Sequence, residues 1–275
     1  MIIMLKNIVK KIIYSMKKKN IVSIPQLVYS EKLLDGKTAL ITGGNGGIGY
    51  AIAKEYIASG CRVILSGTNE KSLKKCVEEL GEKSCYIVLD LRDINSLQEI
   101  VNSIVSKYGK IDILVNSAGI ANNADFFDIT EDEYDQIMDI NAKGTFFLCQ
   151  VISKYMISAK IQGHILNITS SSALRPAWTP YQMSKWSVRG FTLGLADILS
   201  KNGIVVNAIA PGQSATKMLG ISEGDSLYNE SPAGRLVVPS EIGKLAVFMA
   251  SDLGNMIIGD TVYITGGSGV VSSHK

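Results

Sequence analysis

Histidine and cysteine are scarce in this sequence, which limits the kinds of site that it can build. The chain of 275 residues contains two histidines and four cysteines. The cysteines form no C-x-x-C pair and no zinc-ligand spacing, and two histidines are too few for a histidine-rich metal site. We therefore expect no metal, and we interpret the four thiols as reduced, mostly buried side chains of a cytoplasmic protein.

Long hydrophobic runs are also missing at the N-terminus. No apolar stretch of seven or more residues follows the first charges, so we expect neither a signal peptide nor a membrane span there. Residues 1–19 place apolar side chains at helical spacing with lysines largely opposite, which predicts a basic amphipathic helix. Residues 20–35 would connect this arm to the rest. Two interpretations stay open: peripheral contact with anionic lipid or a partner, or an arm that packs on a subunit or frays.

Acidic residues are absent from the first 30 positions, which hold six lysines. These lysines account for the net charge of +3, because the remainder of the chain has 22 basic against 25 acidic residues. A mildly acidic body matches nucleic acid poorly, and we expect no nucleic-acid partner.

From residue 36 to residue 275 the pattern predicts one α/β domain. Short, almost continuously apolar runs alternate with longer amphipathic stretches, and neither a repeat nor a second domain is visible. This alternation is typical of a Rossmann-like, doubly wound parallel sheet of about seven strands, covered by helices on both faces. We predict strands at 38–42, 62–66, 85–89, 111–115, 164–169, 204–209 and 261–265. The predicted helices start near 47, cover 70–80 and 94–108, follow residue 130, and surround Tyr181.

A glycine-rich turn follows the first predicted strand and opens the first predicted helix. It reads Thr42-Gly43-Gly44-Asn45-Gly46-Gly47-Ile48-Gly49. Glycine lets the backbone approach a diphosphate, and the helix N-terminus offers unpaired N–H groups and the positive end of the helix dipole. The turn therefore predicts a dinucleotide site, with a purely structural turn as the alternative.

Tyr181 and Lys185 stand four positions apart, so on a helix they share one face. A free tyrosine, with a pKa of about 10, exchanges protons poorly near neutrality. An adjacent ammonium favours phenolate, and we expect Lys185 to lower the pKa of Tyr181 toward the working range. Such a pair behind a phosphate-binding turn predicts a general acid/base.

Further motifs follow in order: Asp90-Leu91, Asn116-Ser117-Ala118-Gly119, Asn141, Ser170, and Pro211-Gly212 with Thr216. Over residues 36 to 270 the chain thereby resembles the single-domain short-chain dehydrogenases/reductases. The resemblance implies an NAD(P)-dependent oxidoreductase that acts on CH–OH groups, with Ser170, Tyr181, Lys185 and Asn141 as catalytic residues. It also implies cofactor contacts from Gly43, Asn45, Gly46, Gly47, Ile48, Gly49, Thr68, Asp90, Leu91, Asn116, Ala118, Gly119, Tyr181, Lys185, Pro211, Gly212 and Thr216.

The identity of the dinucleotide depends on the end of the second strand. An acidic residue there would bind the ribose 2′-hydroxyl and repel a 2′-phosphate, but Gly67 occupies that position. No arginine stands at Thr68 or Gly46, the basic positions of NADP-preferring relatives. Ser66, Thr68, Asn69 and Lys71 are the alternatives for holding the phosphate. We favour NADP(H), with NAD(H) as the alternative.

By the resemblance, Tyr181 donates a proton to the developing alkoxide, Ser170 hydrogen-bonds the same oxygen, Lys185 holds the nicotinamide ribose, and Asn141 positions a water. Ser170 precedes Tyr181 by eleven positions, about two fewer than is common, and Ser171 and Ser172 leave room for a slip by one.

The shortened loop makes Leu174, Arg175, Pro176 and Trp178 pocket candidates. For Arg175, contact with an anionic substrate and a solvated surface position both stay open. Residues 213 to about 235 are predicted to form a substrate lid, with an ordinary surface loop as the alternative.

The chain is most similar to 3-oxoacyl-acyl-carrier-protein reductases, which implies a ketone or secondary-alcohol substrate. Those enzymes dock the carrier with basic residues where this chain has Ile161 and Asn202, although Lys160 and Lys201 stand beside them. A sugar, polyol or lipid-linked keto substrate is the alternative, and a non-catalytic nucleotide-binding scaffold is a further one. The resemblance also implies a homotetramer or dimer, for which Trp186 and Phe191 are interface or core candidates. We expect a cytoplasmic protein, with membrane association through residues 1–19 left open.

Overall fold

The computed structural model describes residues 32–122, 124–221 and 225–271. The predicted arm lies outside these residues, apart from the last four positions of its connector. Leu34 in that connector is fully buried, and its N–H donates to the carbonyl of Ser59 at 2.9 Å. The packed body therefore begins before residue 36, because Leu34 belongs to its core.

Seven parallel strands form one sheet in the order β3-β2-β1-β4-β5-β6-β7, which confirms the predicted fold. The chain order reverses between β1 and β4, and loops that follow these strands meet there at the carboxyl edge of the sheet. The strand bounds agree with the prediction to within two residues. They are β1 Thr38–Thr42, β2 Arg62–Gly67, β3 Ser84–Val88, β4 Ile113–Asn116, β5 His164–Ile168, β6 Val205–Pro211 and β7 Thr261–Ile264.

Seven α-helices cover the two faces of the sheet in the described part of the chain. They are α1 Gly47–Ala58, α2 Glu70–Leu80, α3 Leu97–Tyr108, α4 Glu131–Met138, α5 Thr145–Ser158, α6 Pro180–Leu199 and α7 Pro239–Ala250. The predicted long helix after residue 130 is divided, because a π-helical segment at Asp139–Gly144 separates α4 from α5. Helix α7 was not predicted from the sequence. None of the described helices is long and apolar enough to cross a membrane.

The core is split into two apolar clusters by the sheet. Ala39 and Ile41 of β1 belong to one cluster, whereas Leu40 between them belongs to the other. Successive strand residues point to opposite faces, so a buried strand has to be apolar throughout. Helices α1, α2 and α7 cover the first cluster, and α3, α5 and α6 cover the second. Both ends of each strand are thereby fixed, and the loops at the carboxyl edge have a rigid base.

Candidate active site

The glycine-rich turn packs tightly against its neighbours, and at Gly43 and Gly49 the atom that a larger residue would meet is backbone. Gly43 has a φ of +61°, and a methyl group on it would lie 2.8 Å from Cα of Ala118. A methyl group on Gly49 would overlap the carbonyl oxygen of Gly43. The Thr42 hydroxyl draws the same loops together, because it accepts hydrogen bonds from the N–H groups of Ser117 and Ala118, both at 3.1 Å.

The N-terminus of α1 lies open at this turn. Gly46 is the N-cap residue, and no side chain caps the helix, so its first N–H groups have no helical acceptor. Gly47 faces the loop after β6, where a methyl group would lie 2.7 Å from Cγ2 of Thr216. Asn45, Gly46, Gly47 and Thr216 line one cavity of about 570 Å³. An uncapped helix end, a close backbone approach and an adjoining cavity fit a dinucleotide diphosphate.

At the end of β2, Gly67 leaves room for Asn45. A methyl group on Gly67 would lie 2.9 Å from Oδ1 of Asn45, so an aspartate there would displace that side chain. The Asn45 amide donates to Oγ of Ser72 at 3.2 Å, and Asn69 caps α2 by accepting from the N–H of Ser72 at 2.9 Å. Thr68 is exposed beside them. These polar side chains surround the place where an acidic residue would stand in an NAD-preferring relative.

The loop after β3 carries Asp90, and an ion pair ties this residue down. Nη2 of Arg92 lies 2.6 Å from Oδ2 of Asp90, and this hydrogen bond holds the pKa of the carboxyl below its ordinary value. Leu91 is buried against the π-helical segment, where a methyl group on Gly144 would lie 2.6 Å from Cβ of Leu91. Asp90 and Leu91 are thus both held in place, on a loop that lies beside the end of β2.

Asn116 at the end of β4 begins a chain of buried polar groups. Its amide donates to Oδ1 of Asn167 at 2.8 Å, Asn167 donates to Oγ1 of Thr192 at 3.0 Å, and Thr192 donates to the carbonyl of Val188. Oδ1 of Asn116 is buried without a partner among the described residues. This chain of hydrogen bonds links β4, β5 and α6. Asn167 and Thr192 were not predicted from the sequence because they sit among apolar residues, and Thr42 was noted only as the first residue of the glycine-rich turn.

Tyr181 lies in the first turn of α6 and faces the end of β5. Its hydroxyl and the side chain of Ser170 are hydrogen-bonded. Burial raises the pKa of Tyr181 above its ordinary value, and the bond to Ser170 lowers it by less. This differs from the expected lowering by Lys185, because burial of the phenol outweighs the other effects on it. Of the three consecutive serines, Ser170 is the one whose side chain is bonded to Tyr181. Its hydroxyl also accepts from the N–H of Ser172 at 3.1 Å.

Lys185 is buried one turn further along α6. Its ammonium donates to the carbonyl of Ile168 at 3.0 Å and lies 5.6 Å from the ring centroid of Tyr181. Burial lowers the pKa of Lys185 to about 8, since the charged form loses hydration. The ammonium is therefore mostly protonated at neutral pH, held in place by a strand carbonyl.

Asn141 occupies the π-helical segment and is almost fully buried. Its Nδ2 donates to the carbonyl of Ile120 at 2.9 Å and to Oγ of Ser184 at 3.1 Å, and its Oδ1 accepts from the N–H of Ile120. A methyl group on Gly119 would lie 3.2 Å from Oδ1 of Asn141 and 3.4 Å from Nζ of Lys185. The side chains of Asn141 and Lys185 therefore both lie next to Gly119. Through its hydrogen bonds to Ile120 and Ser184, Asn141 also ties the loop after β4 to α6. Single-turn π segments occur often at functional sites.

A second cavity, of about 1,000 Å³, contains Ser170 and Tyr181, two of the four predicted catalytic residues. Ser170, Tyr181, Pro211, Gly212 and Thr216 line it. The predicted lid supplies another wall through Gln213, Ser214, Met218, Leu219, Asn229, Glu230, Ser231 and Pro232, and Arg175 and Ser268 line it as well. Leu174, Pro176 and Trp178 do not line it. Within the described residues no group of three histidine, cysteine, aspartate or glutamate side chains could hold a metal.

The family model described as "Enoyl-(Acyl carrier protein) reductase" matches residues 43–269, which run from the first glycine of the glycine-rich turn to beyond Thr216. The solved structure of a "short chain dehydrogenase/reductase family protein" superposes with a TM-score of 0.77 and 32% identity, covering 86% of this chain and 99% of the other. The chain belongs to the short-chain dehydrogenase/reductase family. The resemblance drawn from the motifs is thereby confirmed.

Two curated members of the short-chain dehydrogenase/reductase family show the range of similar proteins. The 3-oxoacyl-[acyl-carrier-protein] reductase FabG of Thermotoga maritima is 36% identical over 242 residues, covering 85% of this chain and 98% of the relative. The D-threitol dehydrogenase of Mycolicibacterium smegmatis is 36% identical over 243 residues, covering 85% and 93%. This short-chain dehydrogenase/reductase is accordingly an oxidoreductase that acts on hydroxyl and keto groups with a nicotinamide cofactor.

Proposed function

We propose that the protein exchanges a hydride between NADP(H) and a ketone or secondary alcohol, with Tyr181 as the general acid/base. The observation that carries the proposal is that Tyr181 and Ser170 line one cavity, with the buried ammonium of Lys185 5.6 Å from the Tyr181 ring, beside an uncapped helix end that fits a dinucleotide. When bound, the nicotinamide supplies the hydride or accepts it. Gly43, Gly46, Gly47 and Thr216 would hold the diphosphate end.

The residues of the site have separate roles in the proposed proton transfer. The raised pKa keeps the Tyr181 phenol protonated at neutral pH, which is the form that donates a proton to a developing alkoxide. Ser170 would give the same oxygen a second hydrogen bond and so stabilise its charge. Lys185, with its ammonium fixed by the carbonyl of Ile168, would stabilise the phenolate that remains and hold the nicotinamide ribose. Asn141 fixes the β4 loop on which the cofactor would lie.

NADP(H) is proposed over NAD(H) because no acidic side chain stands at Gly67 to repel a 2′-phosphate. The Asn45, Thr68, Asn69 and Ser72 side chains offer polar groups at this place, and the N-terminus of α2 contributes its positive dipole end. An acidic side chain could enter at Gly67 only by displacing Asn45. The structure thus supports phosphate tolerance by two physical arguments, the missing repulsion and the available donors.

Two substrate classes are compatible with this site. A 3-oxoacyl thioester follows from the similarity to the Thermotoga maritima reductase, and exposed Lys160 and Lys201 are available to an acidic carrier. A sugar or polyol follows from the similarity to the D-threitol dehydrogenase. The cavity favours the second class in one respect: Ser171, Ser172, Gln213, Asn229 and Ser231 line it with hydrogen-bonding groups.

Assembly and location complete the proposal. We expect a homotetramer or dimer in the cytoplasm, as the family resemblance implies. Peripheral membrane contact through residues 1–19 is a separate hypothesis. Deletion of these residues should then lower turnover of a membrane-bound substrate and leave that of a soluble ketone unchanged; equal loss on both would contradict it.

The first test compares NADPH with NADH by calorimetry and kinetics on wild type and Tyr181→Phe. We expect tighter binding of NADPH, binding retained by the variant, and ketone turnover lower in Tyr181→Phe by about 10²- to 10⁴-fold because the proton donor is lost. Screening 3-oxoacyl thioesters against keto sugars would separate the two substrate classes. Binding of neither dinucleotide would contradict the proposal, and dinucleotide binding without Tyr181-dependent turnover of any ketone would favour the non-catalytic scaffold.

A further inference from the structure

One guanidinium in the catalytic cavity has no carboxylate partner. Arg175 lines the cavity together with Ser170 and Tyr181, and it forms no ion pair with any described residue. Its only side-chain hydrogen bond to the described protein runs from Nη2 to Oγ of Ser268 at 2.8 Å. Guanidinium has five N–H donors in a planar fork, so several remain available to a ligand.

Contacts hold Arg175 both at its backbone and at its guanidinium. At the base, the N–H of Arg175 donates to the carbonyl of Ser172 at 3.2 Å, and its own carbonyl accepts from Nε1 of Trp186 at 2.9 Å. At the head, the C-terminal turn comes close: Gly269 has a φ of +78°, and a methyl group on it would lie 3.3 Å from Nε of Arg175. Arg175 is solvent-exposed, and these contacts restrict where its guanidinium lies.

The charges around Arg175 leave it the only cation on the cavity wall among the described residues. Arg235 on the lid pairs with Glu241 at 2.7 Å and does not line the cavity. Glu230 does line it, from the lid side, but it is exposed and is not ion-paired with Arg175. Arg175 stands on the loop that joins Ser170 to Tyr181, so its position relative to the reacting carbonyl is set by the catalytic elements themselves.

We propose that Arg175 selects substrates that carry an anionic group, a carboxylate or a phosphate, at a distance from the carbonyl. The proposal rests on the proposed ketone reduction and adds the substrate class to it. A guanidinium binds carboxylate and phosphate oxygens through two parallel N–H donors, which fixes the orientation of the substrate as well as adding affinity. Removing such a charge-assisted contact should lower kcat/KM for an anionic substrate by about 10- to 100-fold, mainly through KM.

The test measures NADPH-dependent reduction of matched pairs that differ in one charge. Keto acids of increasing chain length are compared with their methyl esters, and dihydroxyacetone phosphate is compared with dihydroxyacetone. The two arms distinguish carboxylate from phosphate. In the wild type we expect the anionic member of at least one pair to have the higher kcat/KM. In Arg175→Gln the anionic member should lose about 10- to 100-fold in kcat/KM and the neutral member much less, so that the preference disappears.

A matched control removes an arginine elsewhere. Arg62 is exposed at the start of β2, at the opposite end of the sheet, and Arg62→Ala should leave every ratio unchanged. Equal kcat/KM for the anionic and the neutral member of every pair in the wild type would overturn the proposal, and so would equal losses on both members in Arg175→Gln. Those outcomes leave the ketone reduction intact, as long as the esters are turned over in a Tyr181-dependent manner. Absence of Tyr181-dependent turnover for all pairs would instead contradict the proposed function.

Discussion

At the scale of single residues, burial rather than spacing sets the chemistry of Tyr181 and Lys185. Their four-residue separation predicts that they share a helix face, and Nζ of Lys185 does lie 5.6 Å from the Tyr181 ring. Yet both side chains are withdrawn from water, so burial disfavours the charged form of each. It raises the pKa of Tyr181 and lowers that of Lys185 to about 8.

The lowered pKa of Lys185 predicts a pH dependence of stability. Between pH 8 and the ordinary lysine pKa of 10.5, the unfolded chain binds more protons at this residue than the folded one. The free energy of unfolding should therefore rise with pH in this window. Relative to Lys185→Met, wild type should gain about 2 kcal/mol between pH 7.5 and 9.5, as measured by urea unfolding at fixed protein concentration.

The control for this experiment is Lys154→Met, which removes an exposed lysine from α5. Its difference from wild type should not change over the same pH range. A difference between wild type and Lys185→Met that is also independent of pH would mean that Lys185 is hydrated in the folded protein.

At the scale of elements, the helix α1 depends on glycine for its position against the sheet. Two of the glycines in its opening turn differ in what an added methyl group would contact. A methyl group on Gly49 would overlap the backbone carbonyl of Gly43, which already accepts from the N–H of Gly46 at 2.9 Å. A methyl group on exposed Gly46 would meet only that carbonyl, at 3.1 Å.

Gly49→Ala should therefore destabilise the protein by about 1–3 kcal/mol and weaken dinucleotide binding, because the overlapped atom is backbone and can move only with the whole turn. Gly46→Ala should cost less than about 1 kcal/mol, since it only replaces one N-cap residue by another. Thermal unfolding with and without NADPH measures both effects. Equal losses in the two variants would show that the turn is able to open around Gly49.

At the scale of the whole molecule, the outer surface of α5 and α6 is unusually apolar. Six large apolar side chains of these helices are exposed: Phe146, Ile157, Met183, Trp186, Leu193 and Ile198. Phe191, an interface candidate in the sequence, packs against Phe146 with ring centroids 5.0 Å apart and is only partly buried. Exposed apolar patches of this kind mark protein contacts, which supports the proposed homo-oligomer.

Leu193→Glu tests this surface. Leu193 is 63% exposed, so the change should leave the fold intact while placing a charge in the proposed contact. Sedimentation velocity should show a shift toward smaller species. Met256→Glu is the matched control, because Met256 is 91% exposed and lies outside both helices. Identical sedimentation of Leu193→Glu and wild type would exclude Leu193 from the interface.

The sequence by itself determined the features that follow from local chemistry. Apolar runs predicted the seven strands because a doubly covered strand has to be apolar throughout, and the glycine turn and the Tyr181 to Lys185 spacing predicted the site because they act within one turn of helix. Residues 213 to about 235 were predicted to form a lid from their glycines and polar side chains, which stays a prediction, and α7 beyond them was not predicted.

Only the tertiary structure decided what depends on neighbours distant in sequence. Asn167 lies inside an apolar run of β5, yet it joins Asn116 to Thr192, and no local pattern signals such a partner. Asn141, in the π-helical segment, likewise bonds to Ile120 and Ser184, which lie far from it in the chain. The hydrogen bond between Arg175 and Ser268 is a further contact of this kind. The pKa values of Tyr181 and Lys185 belong with these, because they follow from burial, and burial is a property of the packed molecule.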